Sequence, residues 1–138
     1  MSKIDGTPAG QYDGKDSIFM DLDPSLLSNA LQAIRIPVRC VNVASGDVFV
    51  AGKENKQILF EKFNCDICEM ELAGIQIACD RNNIPLLSVK VVSDKADDSA
   101  SESFSAVVER GIAKYSEVIP SLLKMIDEGM KPLPPEKK

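Results

Sequence analysis

Apolar residues recur at intervals of three and four in four stretches of the chain, and each stretch is bounded by residues that start or stop helices. Leu26, Leu27, Ala30, Leu31 and Ile34 form one apolar face behind Asp23-Pro24, which puts an N-capping side chain next to a proline at the first helical position. That helix must end before Pro37. Helical spacing returns between Glu54 and Phe63, at Ile58, Leu59 and Phe63, and again at Leu72, Ile75, Gln76 and Cys79 until Asn82-Asn83 halts it ahead of Pro85. Ser99-Ala100-Ser101-Glu102 has capping-box spacing, and Phe104, Val107, Val108, Ile112, Tyr115, Val118 and Ile119 then share a face that Leu122, Leu123 and Ile126 prolong. Pro120 predicts a kink or restart in this last helix, because its ring clashes one turn back.

Between the helices the pattern changes. Val38 to Ala44 is short and β-branched and reads as a strand, Ser45-Gly46-Asp47 as a turn, and Val48-Phe49-Val50 as a second extended piece. Ile67 to Met70 predicts a brief strand. Leu86 to Val92 is almost continuously apolar, which predicts a central strand covered on both faces. Strands alternating with helices give an α/β fold, three-layer α/β/α with a mainly parallel or mixed central sheet. Residues 1–22 show no periodicity and are expected to be a loop segment, 23–129 a single domain, and 130–138 a disordered tail. So few strong strands leave a sheet edge open, which predicts pairing with another chain.

Composition narrows the partners. The 138 residues suit one domain, and a net charge of −5 without a long Lys/Arg cluster excludes the basic face that nucleic acids require. No apolar run approaches the ~20 residues of a membrane span, and Met1 to Gly6 lacks the apolar core of a secretion signal, so a cytoplasmic protein without membrane partners is expected. Cys40, Cys65, Cys68 and Cys79 are then expected as reduced thiols. Cys65 and Cys68 have the spacing of a zinc or redox pair, yet no second pair and no histidine accompany them, so no metal and no cofactor are expected. Without histidine, acid–base chemistry falls to carboxylates, lysines or the two tyrosines.

The carboxylates stand out by position. Glu69 and Glu71 stand at the end of one predicted strand, and Asp94 follows the end of another, after Val91-Val92-Ser93. Open α/β sheets bind ligands at the carboxyl ends of their strands, so acids emerging there face a pocket. Taken singly, each has a plainer reading: Glu69 and Glu71 as acids favoured at a helix N-terminus, Ser93-Asp94 as an ordinary turn, Phe49 as core.

Taken in order, Ser45-Gly46-Asp47-Val48-Phe49-Val50, Glu69-Met70-Glu71-Leu72-Ala73 and Ser93-Asp94-Lys95-Ala96-Asp97 resemble the purine nucleoside phosphorylase superfamily. The likeness is greatest to the 5′-methylthioadenosine/S-adenosylhomocysteine nucleosidases. It runs from about Val38 to Ile126, the C-terminal half of such a protein, with a looser echo at Asp5 to Gly10. The resemblance implies a truncated nucleoside phosphorylase fold and hydrolysis of the N-glycosidic bond of an adenine thionucleoside. It implies that Phe49 and Val50 line the purine with Ser93 and Ala96 completing its wall, that Met70 and Glu71 hold the ribose, that Val48, Glu69 and Lys90 also bind the substrate, and that Asp94 is the general acid. Glu71 would also stabilise positive charge on the sugar. Lys90 stands where the family usually has an arginine near the reacting centre, and Ala9 where it has an aromatic residue. A small purine nucleoside is the implied ligand, and a homo-oligomer or a complementing N-terminal chain the implied partner. The alternatives are a non-catalytic purine-nucleoside-binding or assembly protein, or one chain of a split enzyme.

Overall fold

The computed structural model describes residues 8–12, 14–93 and 104–129. In chain order its elements are α1 (Pro24–Ala33), β1 (Val43–Ser45), α2 (Lys53–Phe63), β2 (Ile67–Glu69), α3 (Leu72–Asn82) and α4 (Phe104–Asp127). The architecture is α/β with a parallel sheet, and helices form over all four predicted stretches; the expected Ser99–Glu102 capping box and the tail from 130 lie outside the described residues.

Local chemistry explains the helix ends. The Asp23 carboxylate accepts a hydrogen bond from the Leu26 amide at 2.8 Å, satisfying a donor that the first turn would otherwise leave bare. Asn64 and Asn83 close α2 and α3 in the left-handed region, at φ 50° and 54°, which asparagine tolerates better than most residues. Replacing Asp23 by alanine should therefore cost about 1 kcal/mol of folding stability, read as a lowered urea midpoint with an unchanged slope.

Helix α1 packs against α4, and Leu26, Ala30 and Val118 on these two helices are the most deeply buried apolar side chains described. Helix α4 runs through Pro120 without interruption, so the expected restart does not occur. Pro120 has no amide to donate to the Ser116 carbonyl four residues back; one turn earlier the Ser116 hydroxyl donates to the Ile112 carbonyl at 2.8 Å, a local bond that helix interiors tolerate.

The strands depart further from expectation. Strand β1 begins only at Val43, and residues 38–42 are not in a ladder. Val48 and Phe49 form no strand and stand 73% and 76% exposed, which also removes Phe49 from the core. Among the described residues the sheet has two strands, β1 and β2, paired in parallel with Val43 opposite Ile67, Ala44 opposite Cys68 and Ser45 opposite Glu69. Leu86 to Val92, expected as a central strand, has no ladder partner among those residues. Instead, the Tyr115 hydroxyl of α4 accepts from the Val91 amide at 3.3 Å and donates to the Val89 carbonyl at 3.4 Å. A side chain thus does at two atoms what a neighbouring strand does along its length.

Candidate active site

The in-register pair Ser45 and Glu69 fixes the geometry of the candidate site. Both residues end their strands, so the segments Ser45–Val50 and Glu69–Ala73 leave the sheet side by side at its carboxyl edge. The pairing continues one step further, with the Gly46 amide donating to the Glu69 carbonyl at 3.2 Å. Two motifs whose first residues lie 24 positions apart in the chain are adjacent here, on the edge where α/β sheets take their ligands.

Glu69 is the hub. Its carboxylate accepts from the amides of Glu71 at 3.0 Å and Leu72 at 2.9 Å, and from the Lys90 ammonium at 3.0 Å. The Ser45 hydroxyl also donates to it while accepting from the Ala73 amide at 2.8 Å. Burial by itself would raise the Glu69 pKa. Hydrogen bonds from Ser45, Lys90 and the two amides outweigh it and hold the carboxyl below the usual carboxylate range.

A depressed native pKa means the unfolded chain takes up its proton first as the solution is acidified. The stabilisation is therefore complete above the ordinary value of 4.5 and is lost as pH falls through the lower native value. Urea titrations from about pH 6 to about pH 3 should show stability declining, with a shallower decline in Glu69→Gln. Equal slopes in both proteins would contradict this picture.

Glu71 is placed differently. It is the N-cap residue of α3, yet its side chain makes no capping bond; its carboxylate accepts from the Met70 amide at 3.3 Å, and the residue is exposed. One carboxylate of the pair is thus committed to the helix terminus and the other faces outward. Met70 beside it is 42% exposed.

A cleft of about 1100 Å³ opens next to this edge, and its lining includes Val43, Ser45, Ile67, Ala73, Leu87 and Lys90. Gln76, also on its wall, is 7% exposed and donates to Asp80 at 2.7 Å. Ile75 in the same helix is 47% exposed, so the polar residue rather than the aliphatic one faces inward. Lys15 pairs with Asp80 at 2.9 Å and Arg81 donates to the Tyr12 hydroxyl at 2.7 Å, tying residues before α1 to α3.

Of the residues singled out from the sequence, the structure brings together Glu69, Met70, Glu71 and Lys90. Of the described ones Lys90 alone lines the cleft; Glu69, Met70 and Glu71, like Val48, Phe49 and half-buried Val50, lie outside its lining, and Ser93 is exposed. Asp94 and Ala96 lie outside the described residues. Ser45 was not among the predicted site residues. Its signal was a small hydroxyl ending a β-branched run, which a turn explains equally well. No disulfide joins the four cysteines, and burial foremost pushes the Cys65 thiol up, helped by the charge of Asp66 and by Cys68.

The family model described as the phosphorylase superfamily matches residues 6–124. The aminodeoxyfutalosine nucleosidase of Campylobacter jejuni is 34% identical over 106 residues, 75% of this chain and 46% of that protein. The 5′-methylthioadenosine/S-adenosylhomocysteine nucleosidase of Staphylococcus aureus is 29% identical over 101 residues, 72% of this chain and 44% of its own length. The native structure of futalosine hydrolase of Helicobacter pylori strain 26695 superposes with a TM-score of 0.72 at 30% identity, covering 85% of this chain and 50% of that one. This chain spans about half the length of the relatives it matches, or less. With a family match over residues 6–124 and an α/β framework that superposes on such an enzyme, the chain belongs to the phosphorylase superfamily.

Proposed function

We propose that this chain carries the base- and sugar-binding side of a nucleosidase, a site that cleaves the N-glycosidic bond of an adenine nucleoside with water as acceptor. The observation that carries the reading is the register of Ser45 with Glu69, which sends the Val48-Phe49-Val50 and Glu69-Met70-Glu71 segments out from one end of one parallel sheet. Exposed Phe49 offers a flat face to a purine, and Val50 its backbone to the purine edge. Met70 and Glu71 contact the sugar. Asp94 protonates the departing base at N7 while the electron pair of the breaking C–N bond passes into the ring; water adds to the sugar carbon, its released proton passes to solvent, and Asp94 takes a proton back from solvent to begin the next turnover. Glu71 stabilises the positive charge that builds on the sugar. Ser93 and Ala96 close the purine wall.

The nucleoside is one of those in the relatives' names: methylthioadenosine, S-adenosylhomocysteine or aminodeoxyfutalosine. We also propose residues 23–129 as the single functional domain, 1–22 as its leading loop and a cytoplasmic setting, since no described helix is long and apolar enough to cross a membrane. Incubating the purified chain with each nucleoside and following free base tests the assignment. Release from one of them supports it.

A second reading is favoured by the cleft, which is lined by residues 38–45 and 87–90, segments of which only Val43–Ser45 is in a ladder. In this reading the site works jointly with further polypeptide that supplies strands at this open edge, whether from a complementing chain or a second copy. Base release that appears only on adding cell extract marks this form, and nucleoside binding without release under either condition marks a non-catalytic binding protein.

A further inference from the structure

Lys90 sits at the centre of the segment that has no strand ladder. On one side its ammonium reaches the Glu69 carboxylate at 3.0 Å, across the end of β2. On the other, the Tyr115 hydroxyl brackets it, bonding the Val89 carbonyl and the Val91 amide that flank it in sequence. The side chains of Lys90 and Glu69 are 30% and 12% exposed, so the pair is partly screened from water and is held in one geometry by the amides and the serine that also bind Glu69. A loose surface ion pair contributes little, but one member here is already fixed by three other donors, which removes most of the entropy cost of holding it.

We propose that Lys90 is a positioning residue: with Tyr115 it docks the Leu86–Val92 segment onto the end of β2 through Glu69, and it leaves Glu71 as the one carboxylate of the pair free to meet a sugar. The family resemblance assigns both Glu69 and Lys90 to the substrate; in this chain the Glu69 carboxylate takes its bonds from Ser45, two amides and Lys90, and the Lys90 ammonium is seated on it at 3.0 Å. A lysine suffices in this role because a single point contact to one carboxylate oxygen is needed, not a planar fork. Four bonds, one each from Lys90 and Ser45 and two at the Tyr115 hydroxyl, thus tie β1, β2, α4 and the Leu86–Val92 segment together. The assignment of Glu71 to the sugar rests on the nucleosidase reading; the docking role does not.

The test separates the two. Amide hydrogen exchange across residues 86–92 is measured in the full chain and in Lys90→Met, Lys90→Arg, Glu69→Gln and Tyr115→Phe, with far-ultraviolet circular dichroism showing that each remains folded. Loss of either member of the pair should speed exchange at Val91 and its neighbours about five- to tenfold, as should Tyr115→Phe, while Lys90→Arg stays near the parent. Combining Lys90→Met with Glu69→Gln should add nothing beyond either single change. Exchange unchanged in Lys90→Met, or additive in the double variant, overturns the proposal whether or not any nucleoside is turned over. Where base release is measurable, Lys90→Met and Glu69→Gln should lower kcat by the same factor with KM held within about twofold, because an interaction that only positions the site does not bind substrate. A KM rise confined to Lys90→Met would make Lys90 a substrate contact and overturn the proposal.

Discussion

Asp94→Asn is expected to lower base release by about 10²–10⁴-fold while nucleoside affinity stays within about threefold. Asparagine keeps the size of aspartate and can still donate a hydrogen bond to a purine nitrogen, but it cannot surrender a proton. The base would then have to leave as an anion, and the loss should fall on kcat. The position follows Val91-Val92-Ser93, the end of the segment that Tyr115 and Lys90 hold. A substrate whose leaving group needs no protonation should recover most of the rate in the same variant. Loss of affinity with kcat preserved would assign Asp94 to binding instead.

Glu71→Gln is the second large effect, an expected fall of about 10²–10³-fold in kcat. Glutamine retains an oxygen that accepts from the sugar hydroxyls, so KM should change little, but the negative charge facing the developing oxocarbenium is gone. The contrast with Glu69 sharpens the expectation. The Glu69 carboxylate is occupied by Ser45, Lys90 and two amides, whereas that of Glu71 accepts only from Met70 among the bonds described. Glu69→Gln should therefore cost far less activity than Glu71→Gln, despite removing the better-connected residue. The reverse order, measured under single-turnover conditions, would exchange their roles.

The helices were legible because their determinants are local. Asp23 caps through its own side chain three residues on, and Asn83 ends α3 by a backbone angle that its neighbours do not set. The sheet was only partly legible because a ladder needs a partner that the local pattern does not name. Leu86 to Val92 has the apolar run of a buried strand, and periodicity could not reveal that a tyrosine 24 residues downstream of Val91 takes the bonds a strand would have made. Pro120 misled for the opposite reason. A local rule predicted a kink or a restart, and helix α4, which packs on α1, continues through the proline without restarting.

The site divided along the same line. Glu69 and Glu71 were visible as acids at a strand end, but their different duties were not, since two residues apart in sequence they look alike. What separates them is the Ser45–Glu69 register and the arrival of Lys90 from another segment, both long-range facts. The exposure of Phe49 likewise contradicts its hydrophobicity taken alone, and agrees with a flat surface kept for a ligand.

The central claim is that three separated motifs face one ligand at the carboxyl edge of the β1–β2 sheet. Titrating the isotope-labelled full chain with methylthioadenosine and following backbone amide resonances tests it most directly. The expected result is saturable shifts confined to residues 45–50, 69–73 and 90–96, abolished in a Phe49→Ala/Glu71→Gln double variant. Saturable shifts clustered elsewhere, on the outer face of α4 for instance, or no shifts at millimolar nucleoside with the chain folded, would contradict it.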